Sequence, residues 1–140
     1  MEKVELFREY TRLIERKLDM LNTEDCCNCV ISMAQCHALV EIGRRKNISL
    51  KELADILELD KSTVSKTIED LFKKGLITRE QLETDRRTIK INLTDEGFCY
   101  FEKIENDMNR KFREMYERIP EDKQEYVLGA LKIYIDSFDI

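Results

Sequence analysis

The stretch Asp85-Arg86-Arg87-Thr88-Ile89-Lys90-Ile91-Asn92-Leu93-Thr94 decides how this chain is read. Ile89, Ile91 and Leu93 alternate with Lys90 and Asn92, the period-two pattern of a strand that lays one apolar face on a core. Asp85 favours a turn ahead of that strand, which places Arg86 and Arg87 at the exposed tip of a small hairpin. A cationic tip on a rigid hairpin suits the minor groove of DNA, where negative potential is concentrated. Exposed arginine pairs are common on hairpins, so the weight falls on the residues that precede this one.

Two short helical patterns lie upstream. The first starts at Ser49, with Glu52 three residues later as the second half of a capping box. Its apolar positions Leu50, Leu53, Ala54, Ile56 and Leu57 follow the 3.6-residue period. The second starts at Asp60, a good N-cap, and runs through Val64, Ile68, Leu71 and Phe72 to Gly75, a natural stop. Only Glu58, Leu59 and Asp60 separate them, so the helices must cross sharply, as in a helix-turn-helix. Opposite the apolar stripe, the second helix presents Lys61, Ser62, Thr63, Ser65, Lys66 and Glu69. Short hydroxyls and lysines at the start of such a helix reach base edges and phosphates without steric conflict. Taken singly this is an ordinary solvated face; followed by a cationic hairpin it is a DNA-binding face. Its expected contacts are Lys61, Ser62, Thr63, Ser65, Lys66, Arg86 and Arg87, with Asp85 bracing the wing.

Residues 33–97 resemble the multiple-antibiotic-resistance regulator (MarR) family of winged helix-turn-helix transcription factors. The resemblance is carried by Leu50-Lys51-Glu52-Leu53-Ala54, by Asp60-Lys61-Ser62-Thr63-Val64-Ser65 and by Leu71-Phe72-Lys73-Lys74-Gly75-Leu76-Ile77. It continues in the wing, with Asp85-Arg86-Arg87 followed by Leu93-Thr94-Asp95-Glu96-Gly97. It implies a homodimer that occupies a pseudo-palindromic operator in double-stranded DNA, expected here to act as a repressor.

The expected fold is mainly α with a small β-hairpin wing: a winged helix-turn-helix over 32–97, and a helical dimerisation region formed by 1–31 and 98–140. The whole chain of 140 residues is read as one domain. A helix from about Lys3 to Leu21 carries Val4, Phe7, Leu13, Ile14, Leu18 and Leu21, with Tyr10 at the edge. Ser32, paired with Gln35, opens a second helix bearing Ala34, Ala38, Leu39 and Ile42. After the wing, Thr94 caps a long helix to about Arg118 with Phe98, Phe101, Ile104, Met108, Phe112 and Met115 at helical spacing. Pro120 then breaks the chain before a last helix through Tyr126, Val127, Leu131, Tyr134, Ile135 and Phe138. The outer helices carry more large apolar groups than the winged lobe can cover, so they must pack on each other or on a second chain.

Composition limits the alternatives. Hydrophobic residues at 42% support a real core, and 38% charged residues indicate a well-solvated surface. The net charge of −5 is unevenly spread: residues 44–90 hold twelve basic and nine acidic residues, so the acidic excess lies in the flanks. The field at the contact surface matters more for phosphate binding than the total charge. No apolar run approaches the ~20 residues that span a bilayer. The start of the chain lacks a signal-peptide pattern, and the expected location is the cytoplasm.

The second unusual feature is Cys26-Cys27-Asn28-Cys29, with Cys36 and the only histidine, His37, soon after. A buried thiol is ordinarily a small hydrophobe, which suits Cys99 beside Phe98 and Phe101, and Cys36 one turn before Val40. It suits three thiols in four residues poorly. Soft thiolates prefer zinc, cuprous copper or similar ions; alternatively, oxidation links thiols within or between chains. Cys26, Cys27 and Cys29, with Cys36 and His37 as further ligands, therefore form the candidate effector site, for a thiolate-bound metal ion or an oxidant. The adjacent Cys26 and Cys27 do not have zinc-ribbon spacing. Zinc-sensing relatives draw histidines from the long helix after the wing, and 95–118 contains none, so the effector is not transferable from them. A small organic ligand with incidental thiols is the alternative control. Catalysis has little support: there is no phosphate-binding Gly-rich loop, no zinc-hydrolase helix, and Cys36 and His37 are neighbours that diverge on a helix. The expectation is a DNA-binding regulator rather than an enzyme, with a protein-interaction adaptor as the other non-enzymatic reading.

Overall fold

Each helix of the winged lobe begins where a short polar side chain can take up backbone N–H groups. In the computed structural model, which describes residues 2–23, 31–81 and 88–139, α1 spans Lys3–Thr23 and α2 spans Met33–Arg45. Ser32 accepts the Gln35 N–H while the Gln35 side chain accepts the Ser32 N–H, the reciprocal capping box expected there. Lys74 Nζ donates to the same Gln35 carbonyl oxygen at 2.7 Å. Then come β1 (Ile48–Ser49), α3 (Leu50–Leu57), α4 (Lys61–Lys73), β2 (Ile77–Gln81), β3 (Ile89–Leu93) and α5 (Asp95–Arg118). A single 3-10 turn, Glu121–Lys123, leads into α6 (Gln124–Asp136).

The strands form a three-stranded antiparallel sheet in the order β1-β3-β2, with Ile48 opposite Ile91 and Ile77 opposite Leu93. The simple hairpin expected from the sequence thus gains a third strand. Two residues are too few for a periodic signal, and Ser49 serves both β1 and the cap of α3. Pairing on both edges also changes the surroundings of β3: only Ile91 is fully buried, and Lys90 and Asn92 are half-buried rather than open to water.

The chain divides into two compact units, residues 1–105 and 106–140. The core of the first consists of Ile31, Ala38, Leu39, Ile42, Ile48, Leu53, Ala54, Val64, Ile68, Leu71, Leu76, Ile77, Ile91 and Ile104. These are the apolar positions of α2, α3 and α4 set against the buried side of the sheet. Gly43 allows the Phe101 ring onto α2, because a Cβ there would sit 2.5 Å from the ring. On α5, Gly97, Phe101 and Ile104 share the inward face, which turns position 99 outward. Cys99 is therefore exposed, correcting its expected role as a buried small hydrophobe. In the second unit, Gln124 Nε2 donates to the carbonyls of Ile119 and Tyr116, closing the end of α5 ahead of α6. No residue of α6 is buried. No helix among the described residues is long and apolar enough to cross a membrane.

Candidate nucleic-acid interface

The interface starts from how α3 and α4 are stopped and started. After α3, Glu58 adopts a left-handed backbone (φ 56°, ψ 40°), and the Leu59 N–H donates to the Ala54 carbonyl. That six-to-one bond closes the helix in three residues and turns the chain directly into α4. Glu58 is not glycine, so some backbone strain is held at this turn. Asp60 then caps α4, accepting the Thr63 N–H at 2.8 Å and the Ser62 hydroxyl at 3.2 Å. These hydrogen bonds, from Thr63 first and then Ser62, hold the Asp60 carboxyl below its ordinary range. At the far end, Gly75 takes φ +75° and the Leu76 N–H donates to the Leu71 carbonyl, the stop expected from the glycine.

With Val64, Ile68 and Leu71 buried, the first two turns of α4 present Lys61, Ser62, Thr63, Ser65 and Lys66, all exposed. All five residues expected to contact DNA on this helix are thus accessible on its first two turns. The cap adds a chemical detail. The Ser62 hydroxyl spends its proton on Asp60, so toward a ligand it presents acceptor lone pairs. Beside this helix, Ser49, Lys51, Glu52, Asp55, Lys61 and Thr88 line an open groove of about 610 Å³ at the base of the wing.

The capping box at Ser49 is realised differently from the expectation. Ser49 Oγ accepts the Glu52 N–H, but the Glu52 carboxylate turns to the Ser49 hydroxyl (3.0 Å) and to Lys90 Nζ (3.5 Å). The Lys90 cation, a strand neighbour invisible in local sequence, adds a second partner to the carboxylate. The Ser49 hydrogen bond, with Lys90 contributing, lowers the Glu52 pKa. Phe72 is also corrected. It was expected on the buried stripe of α4 but is 42% exposed, its ring covered by the Arg79 guanidinium at 3.9 Å. The same Arg79 donates to Glu69 at 2.7 Å and so ties β2 to α4.

Two further couplings escaped the sequence reading. Asn47 and Asn92 exchange hydrogen bonds, Asn47 N–H to Asn92 Oδ1 at 2.8 Å and Asn92 Nδ2 to Asn47 Oδ1 at 2.7 Å. This clasp holds the positive-φ residues Lys46 and Asn47 against the central strand. Thr94 joins three elements: its hydroxyl donates to the Gly75 carbonyl, accepts the Gly97 N–H, and its own N–H donates to the Leu76 carbonyl. A Cβ at Gly97 would run into that Leu76 carbonyl. The Leu93-Thr94-Asp95-Glu96-Gly97 run therefore locks the wing strands to the start of α5. The paired amides and the threonine–glycine spacing were the only local hints.

Asp85, Arg86 and Arg87 lie outside the described residues, as do Cys26, Cys27 and Cys29. Of the remaining effector candidates, Cys36 is half-buried on α2 and His37 is exposed. Among the described residues, no group of three or more His, Cys, Asp or Glu is placed to hold a metal ion.

Residues 31–89 match the MarR family. An organic hydroperoxide resistance transcriptional regulator of Bacillus subtilis is 31% identical over 96 residues, 69% of this chain and 60% of that protein. The HTH-type transcriptional repressor MdtR of the same organism is 32% identical over 74 residues, 53% of this chain and 48% of the relative. The matched part thus spans between 48% and 60% of the length of these curated relatives. In three dimensions the chain is similar to FabT of Streptococcus pneumoniae, solved in complex with DNA, with a TM-score of 0.84 and 20% identity over 97% of this chain and 96% of FabT. A helix-turn-helix joined to a three-stranded wing sheet, with the family match running from just before α2 to the first residue of β3, makes the winged lobe of this chain similar to the MarR family.

Proposed function

We propose that the protein is a homodimeric, sequence-specific DNA-binding transcriptional regulator that acts as a repressor. The observation that carries this reading is the exposed first half of α4, where Lys61, Ser62, Thr63, Ser65 and Lys66 stand together on a helix fixed by its buried opposite face. This is the recognition-helix arrangement of a helix-turn-helix, and the same overall fold is found on DNA in FabT. Regulation by DNA binding, not catalysis, is the work of this family. Arg86 and Arg87 complete the contact from the wing, with Asp85 bracing it, and operator DNA is the partner. The repressor role draws support from the similarity to MdtR, a transcriptional repressor.

Dimerisation is inferred separately, from apolar surface. α1 leaves Val4 and Phe7 exposed, α6 leaves Tyr126, Leu131, Ile133 and Ile135 exposed, and Phe138 just after α6 is exposed too. A second copy supplies the cover, through the helical region 1–31 and 98–140. A two-fold dimer offers two recognition helices to successive major grooves, ~34 Å apart.

Control is assigned to Cys26, Cys27 and Cys29, binding a thiophilic metal ion or responding to an oxidant; Cys36 and His37 are additional ligands for the metal. The oxidant arm draws on the similarity to a regulator named for organic hydroperoxide resistance. The deciding experiment is selection of genomic fragments by reduced, oxidised and zinc-loaded protein, repeated with the three cysteines changed to serine. Salt-sensitive enrichment of particular fragments is expected, with a loss on oxidation or metal loading that the triple variant no longer shows. Absence of any sequence preference would remove the DNA reading. An identical response of the triple variant would move control to a small organic ligand.

A further inference from the structure

Glu69 stands where an acidic group is unexpected. Ser62, Lys66, Glu69 and Lys73 follow one another at helical spacing on the side of α4 away from Val64, Ile68 and Leu71. The stripe that begins with the groups proposed to approach DNA therefore continues into a carboxylate. Unneutralised, that charge would be repelled by a phosphate backbone. Arg79 neutralises it: Nη1 donates to Glu69 Oε2 at 2.7 Å, and the guanidinium lies 3.9 Å from the Phe72 ring centre. The arginine is itself fixed in the wing sheet, opposite Ile91 in the ladder. Its planar group is thus oriented by the Phe72 ring beneath it, on a side chain carried by a paired strand, and the carboxylate is held in one direction. Arg79 engages Oε2, and Oε1 meets no donor among the described residues.

We propose that Glu69, held by Arg79, is a specificity-determining residue of α4 that accepts a hydrogen bond from the N4 amino group of cytosine in the major groove. The inference rests on the DNA-binding reading above and adds to it a base preference and a positioning residue. A carboxylate can only accept. In the major groove cytosine offers an amino donor, while guanine offers the acceptors N7 and O6, which the carboxylate would repel. Arg79 acts through Glu69: it sets the direction of the carboxylate and removes the charge penalty of bringing it near phosphates.

The test is selection of bound duplexes from a random pool by wild type, Glu69→Gln, Arg79→Ala and Arg79→Lys, with salt dependence of binding measured for each. Wild type should enrich cytosine at one symmetric position per half-site. Glu69→Gln, nearly isosteric and able to keep the arginine contact, should reduce that preference by roughly five- to tenfold, the scale of one base-edge contact. It should shift the position toward adenine, the base that an amide reads, and tighten non-specific binding. Arg79→Ala should lose the preference while still unfolding cooperatively, and Arg79→Lys should restore part of it. An unchanged base preference in Glu69→Gln overturns the proposal, even if overall affinity falls. Failure of the wild type to bind DNA at all overturns the DNA-binding reading as well, so the two failures are told apart by the wild-type lane.

Discussion

The winged lobe and the outer helices use their apolar residues in opposite ways. In the lobe, Leu39, Ile42, Leu53, Val64, Leu71, Leu76, Ile77 and Ile91 are almost fully removed from water by three helices and a sheet. In α1 and α6 the large groups face outward: Val4 is 74% exposed, Tyr126 73% and Ile133 74%. The lobe closes its core within one chain. The outer helices carry stripes that no described residue of their own compact unit covers, and the proposed second copy would supply that cover. Stability of the lobe should therefore be a property of the monomer, and stability of the outer helices a property of concentration.

Core truncation should have the largest effect. Leu39→Ala or Leu71→Ala should cost about 2–5 kcal/mol in chemical denaturation, and the loss should not depend on protein concentration. A loss that vanished at high concentration would place these residues in the association instead. Next, Ile133→Asp combined with Ile135→Asp should convert the proposed dimer to monomer in sedimentation, weaken operator binding and leave the lobe folded. If the variant still sediments as a dimer, α6 is not the interface and the contrast between the two regions loses its meaning.

Smaller effects probe the links inside the lobe. Asn47→Ala and Asn92→Ala should each destabilise by about 0.5–1.5 kcal/mol, the scale of a net hydrogen bond. The double variant should cost less than their sum, because each single change already opens the clasp. Strict additivity would mean that the two amides act independently. The Asp60 cap should show itself through pH. Its carboxyl is held below the ordinary aspartate range by Thr63 and Ser62, so it stabilises the fold above that range. That contribution should fade as pH falls through the lowered folded value, below about pH 4. The stabilities of wild type and Asp60→Ala should thus converge on acidification; a constant gap down to acid would show that the side chain acts in some way other than as a charged cap.

Much of this was legible beforehand, for identifiable reasons. The boundaries of α5, the stops at Gly75 and Pro120, and the caps at Ser32 and Asp60 depend on residues within three or four positions of one another. Cap chemistry, helical period and glycine conformation are local, so they can be read along the chain. The exposure of Lys61, Ser62, Thr63, Ser65 and Lys66 on α4 was legible for the same reason, since burying one side of a helix exposes the other.

What local pattern could not supply came from neighbours distant in sequence. Glu52 gains Lys90, 38 residues away, as a partner beside the Ser49 hydroxyl, a contact that local sequence does not contain. Phe72 stays near the surface because Arg79 reaches across from β2 to cover it. Cys99 faces outward because Gly97, Phe101 and Ile104 occupy the inner side of α5. Sequence alone determined the helices, their ends, the helix-turn-helix and the exposed face of α4, since each depends on contacts within a turn or two. Tertiary structure decided the third strand, the asparagine clasp, the Thr94 junction and the Arg79 bridge, because each joins groups that meet only after the chain has folded back on itself.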